Sequence, residues 1–294
     1  MKKKPDFIII GAMKSATSTL HEQLSLQEGI FMTNPKEPNY FSDDDQYAKG
    51  PDWYETLFSE AEDVDLCGES STHYTKLPDY PLTVGRMVKR LQSPKLIYVL
   101  RHPVDRLVSH YMHQWSQNIM RCDINEAIDQ YEELTAYSCY AKQFAPYIKQ
   151  FGCENILLVC NEAIRDSPQI QLQRVADFIG YKGVVTWKND LASQNVSGER
   201  IRAFNGYKWL VDSKMMTILR RALVPQWIRN RVKRQLTMQK RPEIDATHLE
   251  KLITLFNADL ASLGGEVGIA LSCDNYKQVV THQDLNWVPK SRSK

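Results

Sequence analysis

The chain has no C-x-x-C pair, no internal repeat, no low-complexity tract and no apolar run near the ~20 residues that cross a bilayer. Each gap removes a class of function. The cysteines Cys67, Cys122, Cys139, Cys153, Cys160 and Cys273 stand singly, which argues against a zinc site or dithiol centre and fits reduced, buried thiols. Met1-Lys2-Lys3-Lys4 leads towards a strand, not through the apolar stretch of a signal peptide, so a soluble, cytoplasmic protein is expected. The Walker ending, glycine next to lysine, is missing, as is a clear strand ending in a metal-binding aspartate, and both gaps weigh against a P-loop kinase or nucleotidase. What remains is ample: 294 residues, 43% hydrophobic and 24% charged, enough for one large domain or a domain with an appendage.

The richest stretch is FIIIGAMKSATSTL, Phe7 to Leu20. An apolar run ending at a glycine predicts a buried strand, and the small hydroxyl side chains after Lys14 predict a helix start. Strand, turn and helix gather free backbone N–H groups at one point, where the helix dipole and Lys14 both favour an anion. The geometry is that of a phosphate-binding loop. Further strands are predicted at Asp63–Ser71, Pro94–Arg101 and Glu154–Cys160, and helices at Pro81–Leu91, from His102 onward, over Ile124–Phe151 and up to Gly180. Thr33–Glu60 reads as a long connection with short helical pieces. Alternating strands and helices predict an α/β, P-loop-like three-layer fold with a central parallel sheet, its ligands at the carboxyl ends of the strands.

A second anion grip follows the Pro94–Arg101 strand in RHPVDRLVSHY. Arg101 leaves the strand, Ser109 lies two turns into the next helix, and a guanidinium fork with a hydroxyl suits a second phosphate. Two grips on neighbouring strands imply a nucleotide phosphorylated at two places.

Together these segments resemble the sulfotransferases that use 3′-phosphoadenosine 5′-phosphosulfate, in particular the heparan sulfate N- and 3-O-sulfotransferase branch and its bacterial relatives. GAMKSATSTL is similar to their 5′-phosphosulfate loop and YVLRHPVDRLVSHY to their 3′-phosphate motif; KEPNYFS, KGPDWY, GESSTHY and RPEID match in order and character, over about Asp6 to Leu271. The resemblance implies a single sulfotransferase domain over 1–294, with a core at about 6–190 and a helical extension at about 191–294, in a bacterial protein. It implies sulfuryl transfer from that donor to a hydroxyl or amine, possible acceptors being a glycan or a small molecule, by in-line displacement without metal, leaving adenosine 3′,5′-bisphosphate. It assigns Lys14 to the 5′-phosphate and the bridging oxygen, and Ser15, Ala16, Thr17, Ser18 and Thr19 to the loop that holds that phosphate. Arg101 and Ser109 would hold the 3′-phosphate, with Lys240 and Arg241 beside it. Glu37 would be the catalytic base and His73 the reserve base. One departure is Ser70, where glycan-modifying relatives commonly carry a lysine.

Between Arg200 and Arg241 twelve Lys/Arg face one acid, Asp212, a local charge of +11 that leaves the rest of the chain at −9. The stretch is read as a lid over the donor that guides an anionic acceptor, as an acceptor site, or as a peripheral membrane contact through 215–236, where apolar residues and arginines mix around Pro225. No nucleic-acid partner is expected. A non-catalytic nucleotide- or anion-binding protein on the same fold is the alternative of a different class. Tyr40, Phe41, Trp53, Tyr54 and Tyr74 would form an aromatic acceptor wall or part of the core, and His110 and His113 are expected to face their helix neighbours.

Overall fold

Alternation along β1 (Phe7–Gly11) explains the centre of the molecule. Phe7 and Ile9 enter one apolar cluster, Ile8 and Ile10 another, so the strand is buried on both faces and its uninterrupted apolar run is stable there. The computed structural model, which describes residues 3–189, 238 and 240–288, places beside it β2 (Ile30–Met32), β3 (Leu66–Ser70), β4 (Lys95–Leu100) and β5 (Ile156–Cys160). All pair in parallel, in the order β2-β3-β1-β4-β5.

The helices are α1 (Thr17–Ser25), α2 (Asp44–Ala48), α3 (Gly50–Thr56), α4 (Thr83–Val88), α5 (Pro103–Ser116), α6 (Ile124–Gln130), α7 (Glu133–Ala136) and α8 (Tyr140–Phe151). After β5 come α9 (Asn161–Asp166) and α10 (Pro168–Ile179), and later α11 (Ala246–Val267) and α12 (Tyr276–His282). Leu20 and Leu24 of α1, with Leu172 and Val175 of α10, cover the Phe7 and Ile9 face of the sheet. Leu107 of α5, Phe144 of α8 and Phe256 of α11 cover the Ile8 and Ile10 face. Three layers result, as the alternation predicts, and the C-terminal helices share the core of the sheet. Asp245 caps α11 by accepting from the His248 N–H at 2.8 Å.

Two local expectations change. The helical stretch expected over Ile124–Phe151 is divided into three helices, because Tyr131 and Cys139 leave helical backbone angles. β2 is an added edge strand, too short at three residues to show a period. Among the described residues no helix is long and apolar enough to cross a membrane. The helix expected at 215–236, and nearly all of the basic stretch, lie outside the described residues.

Strand order fixes where a ligand can lie. From β1 the chain proceeds to β2 and β3 on one side and then to β4 and β5 on the other, so a crevice opens at the carboxyl end of β1, between the ends of β3 and β4.

Candidate active site

The crevice begins at Gly11, whose φ is +149°. A Cβ there would come 2.0 Å from Thr75 Oγ1, so the bare glycine lets the one-turn 3-10 helix after β3, Thr72–Thr75, pack against β1. Thr75 Oγ1 donates to the Ile10 carbonyl at 2.9 Å. Beyond Gly11, Lys14 and Ala16 adopt left-handed φ of 70° and 72°, a turn geometry that makes anion-binding concavities of successive N–H groups. α1 then starts with no acid in its first turn and no side-chain cap at Ala16. Its first-turn donors and dipole are left for the cavity, which Lys14, Ala16, Thr17, Ser18 and Thr19 all line. Ser15 does not line it. Its Oγ is buried without a partner among the described residues, and its N–H donates to the Ala12 carbonyl at 3.2 Å.

The end of β4 supplies a second group of lining residues. Arg101 Nη1 donates to the Lys14 carbonyl at 3.0 Å, tying the two strand ends together. The Tyr140 hydroxyl donates to the Arg101 carbonyl at 2.6 Å and accepts from its N–H at 3.3 Å. Burial lowers the pKa of Arg101 while Asp105 and Glu162 oppose it, and so basic a group stays charged. Ser109 lines the same cavity from α5. So does Arg241, from the rim, where it donates to Asp105 Oδ1 at 2.5 Å; Lys277 lies 2.6 Å from the other oxygen. Lys240 is exposed and outside the lining.

Glu37 lines the same cavity from a left-handed segment with φ of 62°, and Asn39 follows at 53°. Side chains have little reason to favour this backbone, so other bonds hold it. The Glu37 N–H donates to the Ser70 carbonyl at 2.9 Å and the Asn39 N–H to Ser71 Oγ at 3.1 Å. Ser71 Oγ donates in turn to Glu69 Oε1 at 2.7 Å, and Glu69 also accepts from the Tyr74 hydroxyl at 2.6 Å and from that of Tyr54. Burial pushes the Glu69 pKa up and its three donors pull against that shift. Glu69 is thus the buried anchor of the segment that carries Glu37.

Glu37 itself accepts from Lys36 Nζ at 2.6 Å and from Thr72 Oγ1 at 3.3 Å. Burial alone would raise its pKa, but the Lys36 charge and hydrogen bond, with Lys76 and His73, outweigh it, so the carboxyl lies below its ordinary value and is ionised at neutral pH. His73 lines the cavity beside it, stacked on Tyr80 at 4.8 Å. Burial, then the Lys76 charge, hold its pKa at about 4, and its Nδ1 is buried with no partner among the described residues.

Several lining residues have no counterpart in the sequence reading. Lys76 follows the Thr72–Thr75 turn; Asn161, Ile164 and Arg165 follow β5; Trp187 lies beyond α10. The rule that ligands gather at strand ends points to Asn161, whereas nothing local marks Lys76 or Trp187. His113 also lines the cavity, against expectation, while His110 is buried and stacked on Tyr137 at 5.5 Å. The aromatic group resolves into core packing: Tyr40, Phe41, Tyr54 and Tyr74 are buried, Trp53 packs against them, and none lines the cavity. Ser70 is fully buried, its Oγ without a partner among the described residues.

The cavity joining these parts measures about 960 Å³, room for a substantial nucleotide and part of a second substrate. Comparison with known proteins agrees with this architecture. The chain is 30% identical over 200 residues to the mouse heparan sulfate glucosamine 3-O-sulfotransferase 3A1, covering 64% of this chain and 49% of that protein. It is 37% identical over 116 residues to the membrane-associated sulfotransferase kil1 of Dictyostelium discoideum, covering 38% of this chain and 24% of that one. The chain therefore spans about half, or less, of the length of these curated relatives. A sulfotransferase crystal structure from Alicyclobacillus acidocaldarius superposes with a TM-score of 0.65 at 22% identity, over 92% of this chain and 98% of that one, and so shares its fold. The sulfotransferase domain family matches residues 4–256, most of the chain, and the protein belongs to that family.

Proposed function

We propose that the protein transfers a sulfuryl group from 3′-phosphoadenosine 5′-phosphosulfate to a hydroxyl or amine of an acceptor, with glycans among the candidates. One observation carries this reading: a single cavity is lined by the loop residues Lys14 and Thr17 to Thr19, by Arg101 and Ser109 from the neighbouring strand end, and by Glu37. The residues fit the donor. The left-handed turn and uncapped start of α1 suit the 5′-phosphate, and the Arg101 fork with Ser109 and Arg241 suits the 3′-phosphate. Lys14 then stands where negative charge develops on the bridging oxygen, and it supplies charge that phosphoryl-transfer enzymes take from magnesium. Glu37, ionised and held by Lys36 and Thr72, takes the proton of the acceptor. His73 is the weaker candidate, since the described residues offer its ring no carboxylate hydrogen bond to orient it. We place this activity in one domain and in a bacterial cytoplasm, where the free thiols would stay reduced.

Calorimetry with adenosine 3′,5′-bisphosphate and with adenosine 5′-monophosphate tests the donor assignment. The bisphosphate should bind more tightly, and Arg101→Ala should weaken it by about 2 kcal/mol, or roughly 30-fold, through loss of a charge-assisted contact. Equal affinity for the two nucleotides would sink the 3′-phosphate site.

A further inference from the structure

We infer that Lys76 is a further catalytic residue, whose ammonium contacts the non-bridging oxygens of the sulfuryl group during transfer; this rests on the donor reading above. Lys76 is only 8% exposed, yet it lines the cavity. Its Nζ has no hydrogen bond or ion pair to a described residue, lying 5.7 Å from the Tyr137 ring centre. The nearby carboxylates are already engaged, Glu37 by Lys36 and Thr72 and Asp79 by the Tyr137 hydroxyl. Arg106 adds like charge, so as it stands the site makes an ammonium expensive. Three N–H donors therefore await something that enters the cavity.

Location says what that is. β1 and β3 are bonded neighbours, and Thr75, one residue before Lys76, is bound to Ile10 at the start of the phosphate loop. His110 feels the charges of both Lys76 and Lys14. Lys76 and Glu37 line the same cavity as the loop, so a donor held by the loop, with its acceptor at Glu37, would set its sulfuryl group in the space that Lys76 borders. In the step, Glu37 takes the proton of the acceptor and the acceptor atom forms its bond to sulfur. The bond from sulfur to the bridging phosphate oxygen breaks, its electron pair remaining on that oxygen beside Lys14, with no oxidant or reductant involved. Charge on the equatorial oxygens then meets the Lys76 ammonium.

The charged and titratable groups around Lys76 are Glu37, His73, Asp79, Arg106, His110 and Tyr137. Burial, opposed by Glu37 and Asp79, brings its pKa down to about 8, so in the free enzyme it loses its charge within a measurable range. Lys76→Met, close in shape and uncharged, should lower kcat by about 100-fold or more, by analogy with loss of an oxyanion donor. Affinity for adenosine 3′,5′-bisphosphate should stay within about threefold of wild type, and thermal stability should be equal or higher, because a costly buried charge has gone. In wild type, kcat/KM for the donor should fall above pH of about 8, and in the residual activity of the variant that fall should be absent. Lys76→Gln, polar and uncharged, should lose turnover likewise. A kcat near wild type, a loss confined to the KM of the acceptor, an unchanged alkaline limb or a marked drop in melting temperature would each overturn the proposal. Absence of transfer by the wild-type protein itself would instead overturn the donor reading, and this inference with it.

Discussion

Gly11→Ala should be among the most damaging single-methyl additions in this chain, and its cost can be worked from the structure. The residue sits at φ +149°, which an L side chain adopts only with strain of about 1–3 kcal/mol. The new Cβ would lie 2.0 Å from Thr75 Oγ1 and 3.2 Å from the Tyr98 ring, where ordinary contact begins at 3.4 Å. Overpacking of this kind costs about 1–3 kcal/mol. If Thr75 swings away, its bond to the Ile10 carbonyl is lost, worth about 1 kcal/mol. The sum is roughly 3–7 kcal/mol, against a typical total stability of about 5–15 kcal/mol. Thr75→Ala alone removes the bond and little else. Urea denaturation of both single variants and the double variant gives the coupling directly. The double variant should be more stable than the sum of the singles predicts, by about 1–3 kcal/mol, because the clash has lost its partner. Strict additivity, or a Gly11→Ala cost below about 1 kcal/mol, would refute the close packing of the turn on β1.

Glu69→Ala would orphan the hydroxyls of Tyr54, Ser71 and Tyr74 and open a cavity, and should cost about 3–5 kcal/mol in denaturant unfolding; a loss under about 1 kcal/mol would mean that the anchor does not hold its segment. Glu37→Gln should abolish turnover while sparing nucleotide affinity, measured by transfer kinetics beside calorimetry; an active Glu37→Gln with an inactive His73→Ala would reverse the two roles. His21 and His73, both pushed down to about 4 chiefly by burial, bind protons more readily unfolded than folded. Their contribution to stability should be full above the ordinary value of 6.5 and be lost as pH falls from there towards about 4. Urea midpoints across that window should fall, and the fall should flatten in a His21→Gln, His73→Gln variant; an identical slope in both proteins would contradict it.

Much of the fold was legible because strong local signals and tertiary packing agree. β1, β4 and β5 are apolar runs buried on both faces, β3 is a short buried run ending in small polar residues, and a glycine with hydroxyl side chains marks the loop. β2 escaped because three residues carry no period, and the breaks within the helical stretch Ile124–Phe151 fall at Tyr131 and Cys139, which leave helical backbone angles. In the site, Lys14 and Arg101 announce themselves by the strands they follow, whereas Glu37, in a long connection, is legible only through the family resemblance. Lys76 does not announce itself, since a lysine after Tyr74-Thr75 reads as surface until Gly11 draws its turn against β1. Aromatic residues near Glu37 suggest a substrate wall, yet their rings are consumed in holding Glu69 and one another.

The central claim is sulfuryl transfer by this one cavity, and mass spectrometry of an acceptor panel tests it most directly. The protein is incubated with sulfur-labelled 3′-phosphoadenosine 5′-phosphosulfate and hydroxyl- and amine-bearing acceptors, glycans included, with a parallel series containing ATP and magnesium. At least one acceptor should gain the labelled sulfate, at the same rate without magnesium, and Lys14→Ala and Glu37→Gln should form none. Tight nucleotide binding with no sulfated acceptor, or phosphate transferred from ATP, would contradict the account.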